Sequence, residues 1–347
     1  MDNFIIKDLT EASLTDFKQC FEKNGNAKDL YHLRWQFLAN PEKKSFVDIA
    51  VDEKENKVAG IYAVSCVKFN INQKDIIGAQ SLDTITDVDY RGTGLFINLA
   101  IDVYQKAQKH SVDLVYGFPN GNSIKGFSKR LKWKILDPVP FLIKPLRSKY
   151  FTSKIKYLKF FPNVNLSPFS YTNSKEYTLK EEKEFPIVVN EVWGKFSKGI
   201  KVAVKRDKAY LDWRYIQKPN VDYNIIHCYK GNEYLGYVVY VIKDKHEGKI
   251  AYIMELVYNL EHQKAGNALL KFAVSKIKSE KADCILSWCL PHSPNHNLFK
   301  KWFFLNFKEK YRPIELHFGA CSFNPILDKV ISDRNSWYIS YSDSDTV

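Results

Sequence analysis

One seven-residue pattern occurs twice in this chain, and it restricts the fold more than any other feature. Trp35-Gln36-Phe37-Leu38-Ala39-Asn40-Pro41 and Trp213-Arg214-Tyr215-Ile216-Gln217-Lys218-Pro219 share the form Trp-x-aromatic-aliphatic-x-x-Pro, each copy preceded by Leu and Tyr. A duplicated unit divides a chain without any appeal to residue propensities. After each copy come two β-rich runs that read as a hairpin, 46–52 with 58–69 and 223–229 with 234–243. A third long strand follows, 76–88 or 249–258, and a turn containing glycine then opens an amphipathic helix at about 92–109 or about 264–281. Next come a buried strand (112–118; 283–289), an Asn-rich turn and a shorter helix ending near Trp133 or Phe307. Roughly 40 positions separate Gly94 from Trp133 and Gly266 from Phe307, and near-equal spacing of unlike sequences argues for shared topology.

Each half therefore reads β-α-α-β-β-β-α-β-α-β. This predicts an α/β (α+β) chain of two consecutive units, each a mixed twisted sheet with helices on both faces. The expected units are 1–165 and 172–347, with the linker near 162–175, where Asn, Ser and Pro replace the periodic pattern. A length of 347 residues, 45% of them apolar, leaves room for two cores.

Residues 1–10 lack the basic patch and apolar run of a signal peptide, and no stretch approaches the roughly 20 apolar residues of a membrane span. A cytoplasmic protein without a membrane partner is expected. The six cysteines are scattered and form no CxxC, so reduced thiols are expected rather than disulfides or a zinc cluster. The net charge of +13 points to polyanions. The lysines are spread out, densest between Arg147 and Lys159 among aromatics, so a solvated basic surface explains them better than nucleic acid does. A small phosphorylated ligand stays open. His292 and His296 have a metal-like spacing, but Pro291 and Pro294 deny them a regular helix and no third ligand is evident; no metal is expected.

The strand Ser81-Leu82-Asp83-Thr84-Ile85-Thr86-Asp87-Val88 runs into Tyr90-Arg91-Gly92-Thr93-Gly94-Leu95-Phe96 and then into a helix. Two glycines let peptide N–H groups converge, and a helix N-terminus adds free donors and partial positive charge, which suits a diphosphate. A plain strand-to-helix turn is the competing reading. Here the chain resembles the GNAT superfamily, whose signature at this junction is Arg/Gln-x-x-Gly-x-Gly/Ala. Arg91 and Gly94 match, while Phe96 replaces the final Gly or Ala. Gln263-Lys264-Ala265-Gly266-Asn267-Ala268 satisfies the whole signature in the second half. The first half is favoured for its two glycines, its arginine and a strand carrying acidic and hydroxyl side chains. More narrowly, Tyr116-Gly117-Phe118-Pro119-Asn120, Asn122-Ser123, Gly126-Phe127 and Trp213-Arg214-Tyr215 are similar to bacterial tandem-GNAT proteins that acylate nucleotide-linked amino sugars.

This resemblance implies an N-acyltransferase that moves an acetyl or short 3-hydroxyacyl group from CoA to the amine of a dTDP-linked amino-deoxysugar, for surface polysaccharide. Acyl-CoA would lie against Thr86, Asp87, Val88, Arg91, Gly92, Thr93, Gly94, Leu95 and Phe96, and the N–H of Val88 or a neighbour would polarise the thioester oxygen. Asn122 and Ser123 would bond the pantetheine amides, or else cap the next helix. Asp83 would orient the amine or accept its proton. The Tyr that many relatives place seven residues after the helix-opening Asn is Lys129 here, so the thiolate would leave without a dedicated acid. In the second half Arg214 would pair with a diphosphate, Tyr215, Tyr223 and Trp288 would stack on base or sugar, and Ser287 would bond a hydroxyl, with core packing the competing role. A monomer acting as an internal pseudo-dimer is expected. Two alternatives compete. Aminoacyl-tRNA-dependent transferases of peptidoglycan precursors share the tandem architecture but carry a coiled-coil insertion, and no heptad run occurs here; a non-catalytic basic binding protein is the other.

Overall fold

The computed structural model describes residues 4–167, 176–312 and 316–347. Most of the expected linker, from position 168 on, lies outside the described residues, as does position 172.

The first half runs β1 (Phe4–Asp8), α1 (Leu14–Lys23), α2 (Leu30–Phe37), β2 (Ser45–Asp52), β3 (Lys57–Ile71) and β4 (Lys74–Thr86). It continues with α3 (Leu95–Lys109), β5 (Leu114–Gly117), α4 (Ile124–Lys129), β6 (Lys134–Leu136), β7 (Phe141–Pro145) and the short α5 (Lys149–Thr152). The second half repeats the order with β8 (Thr178–Glu181), α6 (Val189–Ser197), β9 (Val202–Val204), α7 (Lys208–Leu211) and one π turn at Asp212–Ile216. Then come β10 (Asn224–Lys230), β11 (Glu233–Lys245), β12 (Gly248–Tyr258), α8 (Gln263–Ser279), β13 (Cys284–Trp288), α9 (His296–Lys301), β14 (Leu305–Phe307), β15 (Phe318–Ser322) and the short α10 (Asp328–Ile331). The expected order of elements holds in both halves with one more strand at the end of each, and the second half adds β9 between its first two helices.

That extra strand crosses over. The first sheet is ordered β1-β2-β3-β4-β5-β15-β6, and the second, in matching positions, β8-β10-β11-β12-β13-β7-β14. β15 lies antiparallel between β5 and β6, and β7 lies antiparallel between β13 and β14. Each half therefore lends the other an interior strand. β9 also leaves its own half, extending the end of β3 through Phe69–Ile71. An interior strand has its backbone groups paired on both edges, so separating the halves would strip hydrogen bonds from both sheets at once.

Packing reflects the periodicities. β3, central in its sheet, is buried along most of its length, as expected for a strand covered on both faces. The buried face of α3 comprises Leu95, Leu99, Ala100, Val103, Tyr104 and Ala107, the stripe of a helix lying on a sheet. The largest core joins both halves, running from Trp35, Phe69 and Tyr116 to Trp213, Phe141 and Trp337. Its centre is the repeated tryptophan. Trp35 and Trp213 stack with ring centroids 4.5 Å apart, and each indole N–H donates to the other's backbone carbonyl, at 2.7 and 2.9 Å. Among the described residues no helix is long and apolar enough to cross a membrane.

Because the paired rings also bond each other's backbone, Trp35→Ala is expected to cost about 3–5 kcal/mol, the usual range for a buried large-to-small change. Denaturant unfolding should show this as a lower midpoint in a single transition that couples both halves.

Candidate active site

β4 and β5 run parallel but pair only where Gly78–Ser81 meets Leu114–Gly117. Gly117 permits the tight approach at the end of that pairing, since a Cβ there would lie 2.9 Å from the Ser81 carbonyl oxygen. Beyond this point the strands part. On its other edge β4 bulges: Leu82 faces Ala63 and Ile85 faces Ile61, so Asp83 and Thr84 share the place opposite Tyr62. Asp83 adopts a φ of 49°, uncommon for a residue other than glycine and typical of strain kept at functional sites. The fork opens into a cleft of 1010 Å³.

One end of the cleft is built for an anion. Among the described residues, no turn or capping hydrogen bond within the chain takes up the peptide N–H groups of Gly92, Gly94, Leu95 and Phe96. Gly92 and Gly94 make this turn possible with φ of 82° and 81°, and a Cβ on either would meet no atom within 4 Å. The 15-residue α3 begins immediately after, aiming its dipole into the turn. α4 packs beside it and contributes Lys125, Lys129 and, just past its end, Arg130 to the wall. Phe96, large where the resemblance calls for Gly or Ala, is accommodated because its ring turns onto Gly126, reaching within 2.6 Å of where a Cβ would be.

The opposite character appears at the bulge. The Asp83 carboxylate is paired with Lys28, and its Oδ2 accepts from Gln36 Nε2 at 2.6 Å. Gln36 Oε1 in turn lies 3.0 Å from His32 Nε2, and burial holds the His32 imidazole below its ordinary pKa. Gln80 and Asp345 line the same stretch. Sequence reading missed Lys28, Gln36 and Asp345. Only Gln36 carried a signal, because it sits inside the repeated Trp motif.

Thr86, Arg91, Gly92, Gly94, Leu95, Phe96, Asn122 and Ser123 line the cleft together with Asp83. Three expected neighbours face elsewhere. The Asp87 side chain is buried and held by Lys23 and Asn24, so it builds the turn rather than the cleft wall. The Val88 N–H, expected to polarise a thioester, already donates to Asn24 Oδ1 at 3.1 Å. The Thr93 hydroxyl donates to the Tyr90 carbonyl at 2.8 Å. Asn120 caps the turn before α4, accepting from the N–H groups of Asn122 and Ser123. That leaves the Asn122 amide for a ligand, while the Ser123 hydroxyl donates back to Asn120.

Arg214, Tyr215, Tyr223, Ser287 and Trp288, expected at an acceptor, lie buried in the core and line no part of this cleft. The polar atoms of Arg214 and Tyr215 serve segment 337–347. Arg214 donates to the Ser342 and Ser344 carbonyls at 3.1 and 2.6 Å, and to the Tyr223 hydroxyl at 3.3 Å. Tyr215 donates to Ser342 Oγ at 2.8 Å, and Trp288 stacks on Tyr341 at 4.5 Å. The Ser287 hydroxyl reaches the Trp288 carbonyl at 3.5 Å.

The second half repeats the fork, with Ile250–Ile253 pairing Cys284–Ser287, and a hollow of 680 Å³ lies by the start of α8. Its turn differs. No residue from 259 to 266 has a positive φ, and the Tyr258 ring stands 2.5 Å from where a Gly266 Cβ would be. His292, in this hollow, bonds the Trp337 carbonyl oxygen at 2.8 Å. Among the described residues no group of three His, Cys, Asp or Glu side chains could hold a metal ion. Burial pushes the Cys66, Cys228, Cys284 and Cys289 thiols up to about 12, and no cysteine lines the main cleft.

No protein-family model and no curated protein matches the sequence. Solved structures match the fold. A probable N-acyltransferase from Enterococcus faecalis V583 is 12% identical, with 91% of this chain and 72% of that one covered at a TM-score of 0.61. Saccharomyces cerevisiae N-myristoyltransferase with bound myristoyl-CoA and inhibitors is 11% identical, covering 92% and 80% at 0.64. The fold is the tandem GNAT fold. A GCN5-related N-acetyltransferase from Anabaena variabilis is similar at 11% identity, covering 91% and 72% at 0.62.

If residues 91–96 grip a diphosphate, Gly94→Ala should weaken CoA binding about tenfold by calorimetry, because a Cβ at this left-handed position costs roughly 1–2 kcal/mol and shifts the donors. An unchanged affinity would remove this turn from the binding site.

Proposed function

We propose that this chain is an acyl-CoA-dependent N-acyltransferase whose cofactor groove is the fork of the first half. The observation that carries this reading is the polarity of one continuous cleft: free peptide donors and basic side chains by α3 and α4, carboxylates by the β4 bulge. A diphosphate at the first end directs its thioester along the open edge of β4 towards the second, where an ammonium is attracted. Residues 1–165 would supply the cofactor site and 172–347 would complete the acceptor side through segment 337–347, in a monomer. Asp83, held by Lys28 and Gln36, would orient the amine.

For the acceptor we propose the amine of a dTDP-linked amino-deoxysugar, and for the donor an acetyl or short 3-hydroxyacyl thioester. Support comes from the resemblance of residues 116–127 and 213–215 to nucleotide-sugar acyltransferases, and from the 1010 Å³ cleft that joins the two ends. Incubation with a panel of acyl-CoAs and dTDP- or UDP-amino sugars, with free thiol release as the readout, tests this directly. Charging by an aminoacyl-tRNA, or salt-sensitive binding to random DNA without affinity for CoA, would point to the alternatives.

On the accepted sugar, Asp83→Asn should lower turnover by about 100-fold or more while changing CoA affinity less than about twofold. A mutant turning over like the parent would release Asp83 from this role.

A further inference from the structure

We propose that Asp345 is the catalytic residue that accepts the proton of the incoming amine. This assignment rests on the acyltransfer reading and names the group that reading lacks.

Segment 337–347 passes between the two halves and is tied down on both sides of Asp345. Arg206 pairs with Asp343 at 2.6 Å, and Gln80 and Tyr116 donate to the Asp343 carbonyl at 2.9 and 3.3 Å. Arg214 holds the Ser344 carbonyl, and Lys245 donates to that of Thr346 at 3.0 Å. A site residue carried on so restrained a backbone is pre-positioned. Asp345 keeps access to solvent where its neighbours Asp343 and Ser344 are buried, and it lines the cleft beside Gln80, Ser81, Leu82 and Asp83.

The two carboxylates differ in their partners. Asp83 is occupied by Lys28 and Gln36. Among the described residues, no ion pair closes on Asp345 and no other residue donates to its carboxylate. It faces Asp83 from β4, Lys28 from the turn before α2 and Lys218 from the turn after the π segment. The protein around it, and then the Asp83 charge, raise its pKa, with the two lysines opposing. Of these, Lys218 contributes least. A raised carboxylate beside an ammonium is a better proton acceptor than an ion-paired one.

In the proposed step Asp345 takes one proton from the ammonium, and the freed nitrogen pair attacks the thioester carbon. The C–N bond forms while the carbonyl π pair moves to oxygen; its return breaks the C–S bond, and sulfur leaves with the electrons of that bond. The thiolate takes the second nitrogen proton, giving amide and free thiol, and Asp345 passes its proton to water.

The test compares Asp345→Asn, Asp345→Glu and the parent, using acetyl-CoA with the amino-sugar nucleotide that the panel selects and, separately, with hydroxylamine, which is already unprotonated at neutral pH. Expected for Asp345→Asn are a drop in kcat of about 100-fold or more on the sugar, a loss within about threefold on hydroxylamine, and unchanged melting temperature and CoA affinity. Asp345→Glu should restore part of the sugar rate. Sugar turnover within about threefold of the parent, or equal losses on both nucleophiles, would overturn the assignment. A parent that releases no thiol with any acceptor sinks the acyltransferase reading and Asp345 with it, whereas an active parent matched by an active Asp345→Asn sinks Asp345 alone.

Discussion

The rest of this molecule depends on the way its two halves are locked. Trp35 and Trp213 meet face to face, each satisfying its indole N–H on the other's backbone, a reciprocity that only a local two-fold relation can give. Around that contact the halves trade β7 and β15 as interior strands. Neither sheet is then complete on residues from its own half. The exchange also directs the chain beyond β15, which returns through the seam, so that segment 337–347 is buried where both halves supply donors to it. The acidic end of the cleft is thereby assembled from the turn before α2, the β4 bulge and a residue some 260 positions further on.

Duplication has given two forks and left them unequal. In the first, two left-handed glycines keep a turn open, and an acid at the bulge faces the cleft. In the second, a tyrosine ring covers the helix glycine, and the acid near the β12 bulge, Glu255, is fully buried. Glu255 pairs with Arg206 at 2.7 Å and accepts from Tyr338 at 2.5 Å and Ser340 at 3.0 Å. Removing one partner of so buried a pair costs on the order of 3–5 kcal/mol, so that acid now serves the fold. The repeated motif shows the same division, with Gln36 supporting Asp83 while its counterpart Arg214 clamps segment 337–347.

Much of this was legible in the sequence, because order and periodicity are local properties. The paired hairpins, the third strands, α3 and α8, and the Arg91–Phe96 turn all come from spacing over a few tens of residues. Strand exchange was not legible, since Phe141–Pro145 and Phe318–Ser322 are short and carry no period-2 pattern, and nothing in them names their neighbours. The aromatic and arginine residues around 214–223 and 288 misled for a related reason. A polar tip on a large apolar body suits a ligand or a buried backbone carbonyl equally well, and only the course of segment 337–347 decides. The Val88 N–H failed as an expected donor because Asn24, from the end of α1, had taken it.

Placement of charge along the cleft constrains what the proposed enzyme can accept. Arg91, Lys125, Lys129 and Arg130 suit the phosphates of one substrate, but a second set of phosphates beside the unpaired Asp345 would be repelled, Asp83 being already neutralised by Lys28. A nucleotide-linked acceptor therefore fits only when several bonds separate its ammonium from its own diphosphate, as a sugar ring does, so that the cation leads and the phosphates stay outside. A simple phosphorylated amine lacks that separation. Neutralising Asp345 would relax this discrimination even as it slowed the proposed reaction, since the carboxylate that would draw the ammonium in would also keep phosphate out.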